Sequence, residues 1–406
     1  MQLQELPFFV QAMGWPLALL LAWLAGERLH TLWRVPRVST YFAVGLLGGW
    51  LNLHGLTAAV TGLSFLANLA LALILFELGY RINLRWLRHN PWVLLLGLVE
   101  SALTFAVVFW ATGWFELSLE VRLILAALAV STSPAVLLRV AHETRAAGQV
   151  TERIMHLCAI NCLVAVLLVK LVVGLWHVRA VGDWQAAAIG SVYALAVSVA
   201  LGAAIGVAIP WLLRRVAAHS QSLSVVFALA VLLLTTAAYA LMLSPLLAAL
   251  VFGIVARERR IQLTNAQRGF GSIGELLGVF LFVYVGSLIV WADVWSSIWI
   301  ALVLLGLRLL SKTACSLAVA RISGITLRKG LLSGLALVPL SAFFVLLLEQ
   351  TRLYGFEPAQ SAFAAMAALM LILGLLGPWV TQLCLRAARE THVTAASDHP
   401  ATPPRG

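Results

Sequence analysis

Charge is what this chain has least of: Asp, Glu, Lys and Arg make up only 11% of its 406 residues, where a soluble domain carries about a quarter. That excludes a soluble globular protein. Cysteine is scarce as well. The four present (Cys158, Cys162, Cys315 and Cys384) all fall in apolar stretches, with no CxxC and no matching histidine spacing. An exposed disulfide framework and a metal site are thereby excluded. The apolar runs do not alternate, which excludes a membrane barrel. No domain-length polar segment exists, so no soluble domain is expected, and no catalytic constellation in the loops suggests an enzyme or a cofactor. Met1 to Gln11 lack the basic stretch of a cleaved signal peptide, so they are expected to stay in the mature chain.

What is present is apolar. Hydrophobic residues make up 62% of the chain and the mean hydropathy is +0.99. Runs near the ~20 residues that cross a bilayer recur throughout. The expected fold is an all-α polytopic membrane protein with about 13 transmembrane helices. Their edges are 15–32, 38–54, 59–79, 92–112, 120–140, 154–175, 185–213, 222–241, 245–256, 272–291, 295–320, 329–349 and 360–385. Residues 1–390 form one membrane domain, and 391–406 a short tail expected to be disordered. The net charge of +11 need not mean nucleic acid. Assigned alternately to two sides, the poor side holds only Arg122, Arg179 and Arg352, while the arginines around 34–37, 81–88, 139–153, 257–268 and 321–328 share the other. This is a positive-inside pattern, with the N-terminus outside and the C-terminus cytoplasmic; the partner is the lipid bilayer.

Polar groups in hydrocarbon mark function. Thr132, Ser133 and Pro134 interrupt the fifth span, and Pro339 with Ser341 interrupt the twelfth. Seven spans separate them, which makes the two helices antiparallel, as inverted-topology repeats with broken helices require. A proline kink alone is ordinary in a membrane helix. The adjacent Asn161 and Cys162 in the sixth span turn the balance toward a site. At 1.5 Å per residue Glu100 and Lys312 lie about 12 Å from the inner edge and Arg308 about 18 Å. Glu100 is expected to pair with Arg308, with Lys312 nearby. Glu77 and Arg81 read as an interfacial i,i+4 pair. His142 and His156, flanking the next loop, read as solvated histidines.

The stretches RVPRVSTYFAVGLLGGWL (34–51), LALILFELGYRINLRWLRHN (71–90), LAALAVSTSPAVLLRVAHETRAAGQVTERIMHLCAINCLVAVLL (125–168), SPLLAALVFGIV (244–255) and GLRLLSKTACSLAVARISG (306–324) together resemble the monovalent cation:proton antiporter superfamily. The resemblance implies two broken helices crossing at mid-membrane and a dimerisation domain beside a mobile core. It further implies a homodimer, a bacterial inner membrane, and exchange of Na⁺ or K⁺ for protons by alternating access. Thr132, Ser133, Asn161, Cys162 and Ser341 then line the ion site, and Arg308 matches the family's basic residue in the later helix. In the family, the helix after the first crossing carries an Asn-Asp or Asp-Asp pair; here it reads Asn161-Cys162. The second crossing, Val338 to Phe344, lacks the polar glycine-bearing pattern of many relatives. A thiol titrates near 8.5 rather than near 4 and is a soft ligand, so Glu100 would take over proton coupling. The competing readings are a non-transporting sensor or partner subunit, and a transporter of another, anionic solute.

Overall fold

The computed structural model describes residues 6–51, 61–181, 184–216, 223–259, 270–340, 342–353 and 355–391, and these are helical almost throughout. Each expected span coincides with one helix or one broken helix. They are α1 (Leu6–Trp33), α2 (Arg37–Trp50), α3 (Thr61–Arg81), then a short α4 (Leu84–His89) and α5 (Pro91–Ala111). The first broken span follows as α6 (Leu119–Val130) and α7 (Pro134–Glu143), then α8 (Gln149–Val181), α9 (Trp184–Val216), α10 (Leu223–Ala240), α11 (Pro245–Glu258) and α12 (Gly271–Ser287). After the short α13 (Trp291–Ser296) come α14 (Ile298–Ala320), the second broken span α15 (Leu327–Ala336) and α16 (Ala342–Leu353), and α17 (Pro358–Ala387). Among the described residues eight helical spans are long and apolar enough to cross a membrane, so the chain is a multi-pass membrane protein. Ser341 and the tail from 392 onward lie outside the described residues.

The molecule is turned inside out relative to a soluble protein. On α14, Arg308 and Lys312 are fully buried while Leu310 is 65% exposed. Such a distribution suits lipid outside and a polar seam within.

Both breaks have local causes. Ser133 takes the extended backbone that a following proline demands. Its hydroxyl accepts from Val136 N at 3.3 Å and Pro134 sits at the first helical position, a ready-made helix start. In the second span α15 ends at Ala336, three residues before Pro339, whose ring cannot continue it.

The inverted repeat is visible in four glycines. A Cβ on Gly45 of α2 would lie 2.1 Å from Val283 O of α12, and one on Gly286 would lie 2.4 Å from Phe42 O. A Cβ on Gly79 of α3 would lie 2.2 Å from Leu250 O of α11, and one on Gly253 would lie 2.2 Å from Phe76 O. In all four cases the carbonyl met belongs to the residue three before the partner glycine. Gly45 to Gly253 and Gly79 to Gly286 repeat one shift along the chain to within one residue. Thr104 and Ser311, 207 positions apart, share that shift and touch each other, Oγ1 to Oγ, at 2.8 Å. We expect Gly253→Val and Gly286→Val each to destabilise by roughly 1–3 kcal/mol or more through overpacking against backbone. Thermal unfolding in detergent, with Gly62→Ala as a control that meets nothing within 4 Å, checks this. Control and crossing variants melting together would contradict it.

Candidate functional site

Five segments converge at the middle of the bundle: α5, the α6–α7 break, α8, α14 and the α15–α16 break. The breaks cross and bind each other. Ser133 N donates to Pro339 O at 2.9 Å, and the Thr132 hydroxyl donates to Leu337 O at 3.0 Å. Backbone groups left open by the lost helical turns are thus answered across the crossing.

Two half-helices, α6 and α15, end at this point and bring the partial negative charge of their C-termini. Arg308 answers both: its Nη2 donates to Ser131 O at 3.0 Å and to Val338 O at 3.1 Å. Among the described residues its Nε and Nη1 are buried without a hydrogen-bond partner. Lys312, one turn along α14, donates to Val130 O at 3.3 Å and forms an ion pair with Glu100 of α5, both side chains fully buried.

Asn161 of α8 sits against this ion pair. Its Nδ2 donates to both Glu100 oxygens at 3.3 Å and to Thr132 Oγ1 at 3.2 Å, while the Ser101 hydroxyl donates to its Oδ1 at 3.3 Å. Turned end for end, the same amide fits again. Oδ1 then accepts from Lys312 Nζ at 3.1 Å and, in place of Leu337 O, from the Thr132 hydroxyl at 3.2 Å, and Nδ2 donates to Ser101 Oγ at 3.3 Å and Leu157 O at 3.2 Å. This second orientation turns Oδ1 to the ammonium and satisfies both ends of the amide. The Cys162 thiol donates to Thr132 O at 3.3 Å, and Cys158, one turn earlier, donates to the same oxygen at 3.6 Å. Hydroxyl, amide, carboxylate and open carbonyls within one buried cluster can ligate a hard monovalent cation.

A family profile described as the transmembrane sodium/hydrogen exchanger matches residues 17–387. The chain belongs to the sodium/hydrogen exchanger family. Two solved structures of the sodium proton antiporter MjNhaP1 from Methanocaldococcus jannaschii share its fold. One, determined at pH 8, has a TM-score of 0.68 at 15% identity and covers 94% of this chain and 97% of its own. The other, an electron-microscopy structure, has a TM-score of 0.70 at 16% identity and covers 96% of each chain. No curated protein matches this exchanger.

Within this site the expected pairing of Glu100 with Arg308 is corrected. The carboxylate pairs with Lys312, and Arg308 holds the two breaks. The reason is register. The Thr104–Ser311 contact fixes α5 against α14, and one turn from it along α5 Glu100 meets Lys312 rather than Arg308. Thr132, Asn161 and Cys162 come together as expected, Ser133 serves as the N-cap of α7, and Pro134 and Pro339 stand at the breaks. The pair Glu77–Arg81 is present at 3.2 Å. His142 is not simply solvated, because its Nε2 also reaches Glu77 at 2.9 Å, and His156 is buried, its Nε2 accepting from Asn83 N at 3.2 Å. Sequence reasoning missed Ser101, Thr104 and Ser311. Thr104 follows Glu100 by four residues and follows Ser101 by three, so each is its neighbour along the helix surface, a spacing that could have flagged them.

Proposed function

We propose that this exchanger moves one monovalent cation, Na⁺ or K⁺, against one proton by alternating access, with Glu100 as the cation's carboxylate and Lys312 as the proton carrier. The buried Glu100–Lys312 ion pair at the crossing carries this reading. When the Lys312 ammonium pairs with Glu100, the site is loaded with its proton. Loss of that proton leaves a neutral amine, which releases the carboxylate and Val130 O. A cation then takes the vacated place, ligated by Glu100, Val130 O, Thr132 Oγ1 and the Asn161 carbonyl in the orientation that had faced Lys312. Ser133 and Cys162 complete the lining of the same site. Ammonium and cation each carry one positive charge, so the charge of the site is constant and exchange is electroneutral.

Alternating access requires the crossing elements to move against their neighbours. The end of α7 is tied by Glu143 to Arg37 of α2 at 3.9 Å and by His142 to Glu77 of α3 at 2.9 Å, contacts that have to change in the cycle. The asymmetric arginine distribution supports a cytoplasmic C-terminus and placement in a bacterial inner membrane. Family membership supports a homodimer, to which the exposed leucines of α1 (Leu17, Leu20, Leu21 and Leu24) would contribute surface. A non-transporting relative is the second reading, favoured by a thiol at position 162 that donates to Thr132 O instead of ligating.

Proteoliposomes with an internal pH dye decide between them. Adding Na⁺, K⁺ or Li⁺ should move protons, at a rate unchanged when the membrane potential is clamped. No proton movement with any of the three sinks the exchange reading. Cys162→Asp adds a second carboxylate beside Asn161 and should make exchange potential-dependent, because the site would then carry one more titratable charge. Exchange by the variant that stays insensitive to potential would contradict the one-carboxylate account.

A further inference from the structure

On the arginine-rich side of the molecule, away from the crossing, lies a cavity of about 470 Å³, within the range of small-molecule pockets. Trp86 and Asn90 line it from the α4–α5 corner, Gln149 and Arg153 from the start of α8, and Ser323 with Ile325 from the α14–α15 turn. Its walls are thus the feet of the three helices that carry Glu100, Asn161 and Lys312.

Arg153 is the unusual group here. It is only 4% exposed, and among the described residues its single side-chain hydrogen bond goes from Nη1 to Ser323 Oγ at 2.8 Å. No carboxylate lies within ion-pairing distance of it among the described residues. A guanidinium has five N–H donors in a planar fork that matches phosphate oxygens, so most of its capacity is unused. The N-terminus of α8 is not the attraction, since Glu390 already accepts from Val150 N at 2.9 Å and Thr151 N at 2.8 Å. Gln149 adds a polar edge, itself held by Lys329 Nζ at 2.9 Å. The Trp86 ring, 4.5 Å from the His156 ring, adds an aromatic wall. Exposed Glu152 at the rim carries the opposing charge.

We propose that this cavity is a regulatory site for a small phosphate-bearing anion, anchored by Arg153. Its occupant clamps the three helix feet together and so restrains the segments that hold the exchange site. The phosphate belongs either to a soluble monoester or to an anionic lipid headgroup, and the shared chemistry is the same.

The test is thermal unfolding of the full-length protein, a readout independent of ion exchange. The soluble probes are inorganic phosphate and adenosine monophosphate, with sodium chloride at matched ionic strength as control. The lipid arm uses nanodiscs of phosphatidylglycerol against phosphatidylcholine. A rise of roughly 2–4 °C at saturation is expected with at least one phosphate probe and not with chloride. Arg153→Gln should remove the rise, Ile325→Trp should remove it by filling the cavity, and Glu152→Gln should lower the half-saturating concentration severalfold. A rise confined to phosphatidylglycerol assigns the lipid source. If no probe shifts wild type, or if Ile325→Trp and Glu152→Gln both respond like wild type, the proposal is overturned, even should Arg153→Gln fail to fold.

Discussion

Glu100→Gln is expected to abolish cation-dependent proton movement, and Lys312→Met to do the same, each lowering the exchange rate on the order of 100-fold or more. A loss of 2.7 kcal/mol of site interaction already corresponds to about that factor, and each variant removes half of a two-part device. Glutamine keeps the shape of the ligand without its charge. Methionine keeps the length of lysine without its proton. Each single change also strands a buried charge at a position with no exposure, and breaking a buried pair from one side costs about 3–5 kcal/mol. The double variant Glu100→Leu with Lys312→Met removes both charges together and should recover most of the lost stability, since such replacements are often neutral or stabilising. It should recover no transport. The paired measurement is melting temperature in detergent beside flux in proteoliposomes. Wild-type flux from Glu100→Gln would remove Glu100 from the mechanism altogether.

Arg308→Leu is expected to fail differently, by loosening the fold. Its Nη2 holds Ser131 O and Val338 O together, and hydrogen bonds from a charged donor contribute about 1.5–3 kcal/mol each. Removing both costs roughly 3–6 kcal/mol, comparable to the whole margin of about 5–15 kcal/mol for a native protein. It also leaves two half-helix C-termini facing each other without a cation between them. The unpartnered Nε and Nη1 pull the figure toward the low end, since their burial already opposes the wild-type arrangement. Arg308→Lys keeps the charge on a shorter donor and should lie between the two. Melting temperature and the monodisperse fraction after purification report the effect. Were Arg308→Leu to melt with wild type, the crossing would have to be held by the Ser133–Pro339 and Thr132–Leu337 bonds alone.

The fold could be read from the sequence because its signals are local. Apolar run length places each span, and Pro134 and Pro339 announce the breaks within a few residues. Thr132, Asn161 and Glu100 stood out because polar side chains in hydrocarbon need a reason. The partner of Glu100 did not. Arg308 and Lys312 lie one turn apart on one face, and only the packing register of α14 on α5 decides between them. Depth counted along the helices did set Lys312 level with Glu100, yet the expectation that a buried carboxylate stays ionised beside an arginine pointed to Arg308. The glycine crossings were equally hidden: the sequence has 30 glycines, and nothing short of backbone geometry selects Gly45, Gly79, Gly253 and Gly286.

Those four glycines also say something about ancestry. The shift that carries Gly45 onto Gly253 carries Glu100 onto Arg308, and carries Thr104 onto Ser311 to within one residue. A single ancestral half, duplicated and inverted, accounts for the shared contacts and would have started with one residue type at both places. The two copies have kept what the backbone requires and have diverged to opposite sign where the chemistry takes place. Heredity is therefore conserved in the scaffold and broken at the charge, and it is the break that gives the molecule one site instead of two.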